Sequence, residues 1–122
     1  MLDFIMTPNV TQRRIGRSLL VLGLLVVSYL VFSQPGYGQP FPHFDKVGHF
    51  GAFFGLAALL QWATNSHIGL QLIGLLGYGI LIELIQTQLP YRHGNVADVI
   101  ADMAGAVSFY LLLWIFRKWQ QR

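Results

Sequence analysis

Three short-range pairs carry most of the chemistry this chain can offer. Asp45 and His49 are four residues apart, Glu83 and Gln86 three apart, and Asp98 and Asp102 four apart. On a helix, each of these spacings puts both members on one face. The residue types are those of proton transfer: a histidine that titrates near neutrality, with carboxylates beside it. Lys46 and Arg92 add cations able to hold an anionic group such as a phosphate. His49, Glu83 and Asp102 are therefore the catalytic candidates. Asp45, Lys46, Gln86, Arg92 and Asp98 are the binding candidates.

Each candidate has a plainer explanation. Asp45 and Asp98 suit helix starts, where an acidic side chain satisfies free backbone N–H groups and the helix dipole. His49 can simply bridge two helices, and Glu83 can form a closing ion pair with Arg92. Asp102 lies a full turn beyond Asp98, so capping does not account for it. His43 and His93 are expected in exposed loops, and His67 at the other end of the molecule. Asp45, His49, Glu83, Asp98 and Asp102 also form an oxygen-rich donor set with one nitrogen, of a kind that suits a divalent cation. No recognised ligand motif is present, H-E-x-x-H included. Neither a metal nor another cofactor is assigned.

The elements that must position these residues follow from composition. The 122 residues are 54% hydrophobic and 11% charged, whereas a soluble domain is about 25% charged. Between Ser18 and Phe116 the only charges are Asp45, Lys46, Glu83, Arg92, Asp98 and Asp102. A water-facing surface cannot be assembled from so few. Disorder is excluded by the hydrophobicity. The absence of cysteine excludes disulfides and zinc–thiolate sites. The positive net charge does not point to nucleic acid, because the basic residues flank apolar runs and form no stripe.

A membrane helix needs about 20 mostly apolar residues. Four stretches qualify: 18–32, 47–64, 68–85 and 96–116. Gly, Pro and polar residues mark the connections between them. No strand-like alternation appears, which argues against a membrane barrel. The expected architecture is all-α, an integral membrane four-helix bundle. It divides into a basic N-terminal segment (1–17), the membrane domain (18–116) and a basic tail (117–122). Four spans put both ends on one side. That side carries Arg13, Arg14, Arg17, Arg117, Lys118 and Arg122, against Lys46 and Arg92 on the other. The positive-inside rule then makes both termini cytoplasmic. Trp62, Trp114 and Trp119 fall at the same level, as an interfacial belt would. The first span also has features of a signal peptide, but no A-x-A site follows it, and retention is expected.

With this topology every charge inside the spans and their outer loops belongs to the outward end. An ionisable group within a span costs about 2.5–3.5 kcal/mol on the insertion scale and usually faces the bundle interior or water. His49, Glu83 and Asp102 are the deepest, so they are expected to meet in a shared hydrated pocket. Gly51 and Gly55, Gly74, Gly77 and Gly79, and the series Ala97, Ala101, Gly105 are expected to let the helices approach closely, the alternative being loose packing at a lipid-facing surface.

An ordered set of fragments resembles the VanZ-like family of small membrane proteins. Asp45-Lys46-Val47-Gly48-His49 opens one span, and Glu83-Leu84-Ile85-Gln86 closes the next. Pro90-Tyr91-Arg92 follows, then Asp98-Val99-Ile100-Ala101-Asp102 leading to Gly105. The family pattern is D-K-x-x-H, E-x-x-Q, P-x-R and D-x-x-x-N, and it covers about half of this chain. Asp102 stands where the family usually has asparagine, adding a carboxylate to the pocket. The resemblance implies a bacterial inner-membrane location and this fold, and it assigns no reaction.

Three kinds of function fit these residues. An enzyme would act on a lipid-linked or cell-envelope substrate at the outer leaflet. A non-catalytic accessory protein would use the same cluster to staple helices or to hold a head group. A transporter would need ionisable groups through the whole depth, and the cytoplasmic half offers only Gln61, Thr64 and Gln71. The lipid bilayer is the expected partner, with a lipid-linked or cell-envelope ligand as a candidate and no nucleic acid; oligomeric state is not legible in the residues.

Overall fold

The computed structural model describes residues 7–33, 44–90 and 95–121, and of Phe44 and Asp45 the backbone alone. These residues form four helices: α1 (Val10–Phe32), α2 (Phe44–Thr64), α3 (Ile68–Gln86) and α4 (Val96–Gln120). All four are long and apolar enough to cross a membrane.

Local chemistry sets the helix ends. The Asn9 side chain accepts the Gln12 N–H at 2.8 Å, and the Gln12 side chain accepts the Asn9 N–H at 2.9 Å. This reciprocal capping box starts α1 eight residues before the apolar run, inside the segment expected to precede the membrane domain. Asn65 follows α2 with φ of 50°, a left-handed conformation that asparagine tolerates. Two residues later His67 caps α3, its Nδ1 accepting the Gly69 N–H at 3.0 Å. Asn95 caps α4 by accepting the Ala97 N–H at 2.9 Å. The 25 residues of α4 span about 37 Å, more than the roughly 30 Å of a bilayer's hydrocarbon core. Its last turn carries Arg117 and Lys118 out of the apolar layer, with the Lys118 ammonium 5.6 Å from the Trp114 ring centroid.

Cross-helix contacts fix the directions. Arg13, near the start of α1, donates to the carbonyl of Trp62 near the end of α2 at 3.1 Å. Gln86, at the end of α3, donates to the carbonyl of Val31 at the end of α1 at 2.7 Å. The Ser28 and Tyr78 hydroxyls share a hydrogen bond of 2.6 Å. His49 and Asp102 meet near the starts of α2 and α4. The chain therefore runs up, down, up, down, and the start of α1 and the end of α4 share one end of the bundle. The most extensive packing joins α2 to α4, followed by α1 to α2 and α3 to α4.

The interior is inverted relative to a water-soluble bundle. Leu22, Leu70, Ile73, Ile100 and Trp119 are more than half exposed, whereas Asp102 is completely buried. A small apolar core of Phe53, Leu56, Ala57, Leu75, Ile82, Ala106 and Tyr110 fills the centre. Outward-facing apolar side chains of this number need lipid as their solvent, so the chain is a multi-pass membrane protein.

Close helix approach is confined to a few points. A Cβ on Gly105 would overlap the backbone carbonyl of Phe50, so α2 and α4 touch backbone to backbone there. Gly79 packs against Asp102 and Phe53, but the rest of the expected glycine seam does not form. Gly51, Gly55, Gly74 and Gly77 have nothing within 4 Å of a Cβ position among the described residues. They lie on faces that no helix of this chain covers.

Candidate functional site

The bundle end remote from the termini gathers polar side chains from three helices. His49 is on the second turn of α2, Asp98 and Asp102 on the first two turns of α4, and Glu83 on the last turn of α3. Because α2 and α4 run parallel and α3 runs opposite, the start of α2, the start of α4 and the end of α3 coincide in depth. The four-residue spacing of Asp98 and Asp102 then presents both carboxylates to α2.

The centre is the contact between His49 Nδ1 and Asp102 Oδ1 at 2.7 Å. Asp98 flanks it, with Oδ2 3.9 Å from His49 Nε2 and Oδ1 3.4 Å from the Lys46 ammonium. Glu83 accepts the backbone N–H of Asn95 on Oε2 at 2.8 Å, which ties the end of α3 to the cap of α4. His49, Glu83 and Asp102 each place one donor atom within 4.8 Å of the others. Two oxygens in this group, Glu83 Oε1 and Asp102 Oδ2, are buried without a hydrogen-bond partner among the described residues. Asp102 Oδ2 faces α3, because a Cβ on Gly79 would lie 3.0 Å from it. Gly79 is one turn below Glu83 on that helix, and the lack of a side chain there lets the Asp102 carboxylate pack directly on α3.

Burial makes this arrangement costly unless charges are matched. Asp102, Asp98 and Glu83 are 0%, 4% and 7% exposed. Lys46 is the most accessible member, its side chain 26% exposed, and stands at the rim. An acceptor left without a partner costs about 1–3 kcal/mol when buried.

The structure brings together His49, Glu83, Asp98, Asp102 and Lys46. Gln86 is buried but turns to the α1 carbonyl of Val31, so it fastens helices at the edge of the cluster. Asp98 is not the cap of α4; Asn95 is. Arg92, His43, His93 and the Asp45 side chain lie outside the described residues.

A second polar network joins Gln61 and Gln71, which the sequence marks only as polar residues of the expected cytoplasmic half, to Tyr110, which it does not mark. Tyr110 donates to Gln71 Oε1 at 2.7 Å, and Gln71 Nε2 donates to Gln61 Oε1 at 2.7 Å and to the Ser66 carbonyl at 2.8 Å. Gln61 and Gln71 bracket the short α2–α3 turn, a signal available in retrospect; the Tyr110 contact has no sequence mark. Near this network an apolar groove of about 800 Å³ opens between α2 and α4, lined by Phe54, Leu59, Trp62, Phe109 and Phe116 among others.

Four membrane-crossing helices around an off-centre knot of histidine and carboxylates define a small polytopic membrane protein with a buried polar centre near one face. The chain belongs to the VanZ/LLP1 family, which it matches over residues 4–117. It is also similar to an uncharacterised protein of Schizosaccharomyces pombe, with 27% identity over 106 residues, which is 80% of this chain and 65% of the yeast protein. The chain thus spans a little under two thirds of that relative's length. No solved structure matches it.

Proposed function

We propose that the polar cluster binds the head group of a cell-envelope or lipid-linked molecule at the membrane face remote from the termini, and that His49 exchanges a proton with it. The observation that carries this reading is the 2.7 Å contact between His49 Nδ1 and the fully buried Asp102. A carboxylate so placed fixes the imidazole's orientation and tautomer: Nδ1–H donates to Asp102, and Nε2 is left as the basic nitrogen. Lys46, ion-paired with Asp98 at the rim, shares its ammonium with an anionic part of the ligand, and Arg92 offers a second cation in the sequence reading. The orientation proposed with it puts both termini in the cytoplasm, by the six basic residues at their end against Lys46 and Arg92. The cytoplasmic membrane of a bacterium is the proposed location.

The test uses the full chain in nanodiscs of phosphatidylethanolamine and phosphatidylglycerol, with bound lipid read by native mass spectrometry and head-group turnover by phosphorus NMR. The expected result is lipid retained by the wild type and lost in Lys46→Ala, with any turnover abolished in His49→Gln. Equal retention and equal turnover in folded variants would overturn the reading.

A second reading has its own support. Glu83 holds the cap of α4, and Gln86 holds the end of α1. Here the cluster is a structural staple in an accessory protein. It predicts that His49→Gln and Glu83→Gln lower the unfolding temperature and leave lipid retention unchanged.

A further inference from the structure

We propose that His49, Glu83 and Asp102 form a binding site for one divalent transition-metal ion, of the zinc or manganese type, buried between α2, α3 and α4. The inference rests on the location of the proposed head-group site and names what occupies its floor; while the ion is bound, His49 serves as a ligand in place of the proton exchange proposed above.

Three independent features of the cluster lead there. The first is geometric: one donor atom from each residue lies within 4.8 Å of the other two. Donors on opposite sides of an ion at about 2.1 Å are about 4.2 Å apart, and adjacent donors about 3 Å apart. The 2.7 Å separation of His49 Nδ1 and Asp102 Oδ1 is close to that of adjacent ligands. A contraction of about 0.6 Å brings a 4.8 Å pair to the separation of opposite ligands, and one of about 1.4 Å to that of tetrahedral ligands. The second is the pair of unpartnered oxygens. Asp102 and Glu83 are each more than nine-tenths buried, and each has one carboxylate oxygen with no hydrogen-bond partner among the described residues. Asp102 Oδ2 packs against α3 at Gly79, where a Cβ would lie only 3.0 Å from it, and so turns toward the helix that carries Glu83. The third is charge. Lys46 and Asp98 neutralise each other at 3.4 Å. Among the described residues, a neutral His49 with Glu83 and Asp102 ionised as ligands carries two negative charges, the number a divalent ion balances.

Ligand chemistry selects the class. One imidazole with two carboxylates suits manganese, iron or zinc better than calcium or magnesium, which take oxygen alone. Asp98 completes the arrangement from outside: its Oδ2 lies 3.9 Å from His49 Nε2, the nitrogen left over when Nδ1 binds an ion. A carboxylate facing the far nitrogen of a metal-bound histidine orients the ring. The ion takes the place of the Nδ1 proton in this state, so His49 acts as a ligand while the ion is bound.

The experiment is a titration of full-length chain in detergent, chelator-stripped and free of added lipid, with zinc and manganese chlorides and with magnesium chloride for comparison. Binding is read by calorimetry and by elemental analysis after gel filtration, and folding by thermal unfolding. The expected result is one transition-metal ion per chain, a raised unfolding temperature, and affinity for magnesium lower by about 100-fold or more. Asp102→Asn and Glu83→Gln, both isosteric, should weaken binding by about 100-fold or more while the protein stays folded. Tyr110→Phe, at the other end of the bundle, should bind as the wild type does. A folded wild type that binds no zinc or manganese overturns the inference, as does binding that survives both isosteric variants or that prefers magnesium. A chain that retains lipid but no metal sinks this inference alone; one that binds metal but retains no lipid sinks only the head-group reading.

Discussion

Asp102 is completely buried, yet only its Oδ1 has a hydrogen-bond partner among the described residues. Removing that carboxylate strands the imidazole of His49. Asp102→Leu is expected to destabilise the protein by about 1–3 kcal/mol, the cost of a buried polar group losing its partner. Asp102→Asn should cost less, since an amide can still bond the ring; reversible unfolding in mixed micelles would rank the two. Equal stability would remove the His49–Asp102 bond from the list of forces holding α2 to α4. The members of this cluster were legible because polar residues at helical spacing are conspicuous in apolar runs. Their partners were not. Glu83 bonds the backbone of Asn95, and Gln86 the backbone of Val31, and a carbonyl or amide has no sequence signature. The proposed metal donor set was visible in part, but spacing alone could not tell Asp98, which pairs with Lys46, from Asp102, which faces α3.

At the scale of the element, α2 and α4 meet where Gly105 lies against the Phe50 carbonyl. Gly105→Ala should force the two helices apart and cost about 1–3 kcal/mol, as overpacking does. It should also weaken ligand and metal retention, because Asp102 is one turn away on the same helix. Gly51→Ala and Gly55→Ala are the matched controls. Nothing within 4 Å obstructs a Cβ at either position, so thermal melts should show no loss. Gln86→Leu removes a single interhelical bond and is expected to cost about 0.6 kcal/mol, with about 1.7 as the ceiling. The positions of α2, α3 and α4 were readable to within a few residues from the apolar runs. The start of α1 was not, because Thr11, Gln12 and three arginines do not look like a membrane span. The signal lay in Asn9 and Gln12, whose three-residue spacing is a capping pattern. The glycine seam was misplaced for a related reason: composition shows small residues but not which faces are covered.

For the whole molecule, alternating helix direction makes a labelling prediction that needs no background correction, since the chain has no cysteine. Single cysteines at Thr11, Ser66 and Gln120, all exposed, belong to one end of the bundle, and one at Gln88 belongs to the other. In sealed vesicles a membrane-impermeant maleimide should label the first three together and Gln88→Cys from the opposite side. Any split among the three would break the up-down order. That order was legible because the connections are short and each run spans the bilayer once. The packing of α2 against both α1 and α4 was not, since every helix here is apolar on most of its surface.

Among the four spans, α1 is the most apolar and the least buried by its neighbours. It is held by Arg13 to Trp62, by Ser28 to Tyr78 and by Val31 to Gln86. During synthesis α1 leaves the ribosome before any of those three partners exists. A segment that emerges alone must be stable in lipid, and the apolar stretch of α1 beyond its arginines is suited to that. The polar cluster, in contrast, needs α2, α3 and α4 together, so His49 enters the bilayer without its carboxylate and waits two spans for Asp102. The interval between translation of these two residues is when the nascent chain is most exposed to mis-insertion.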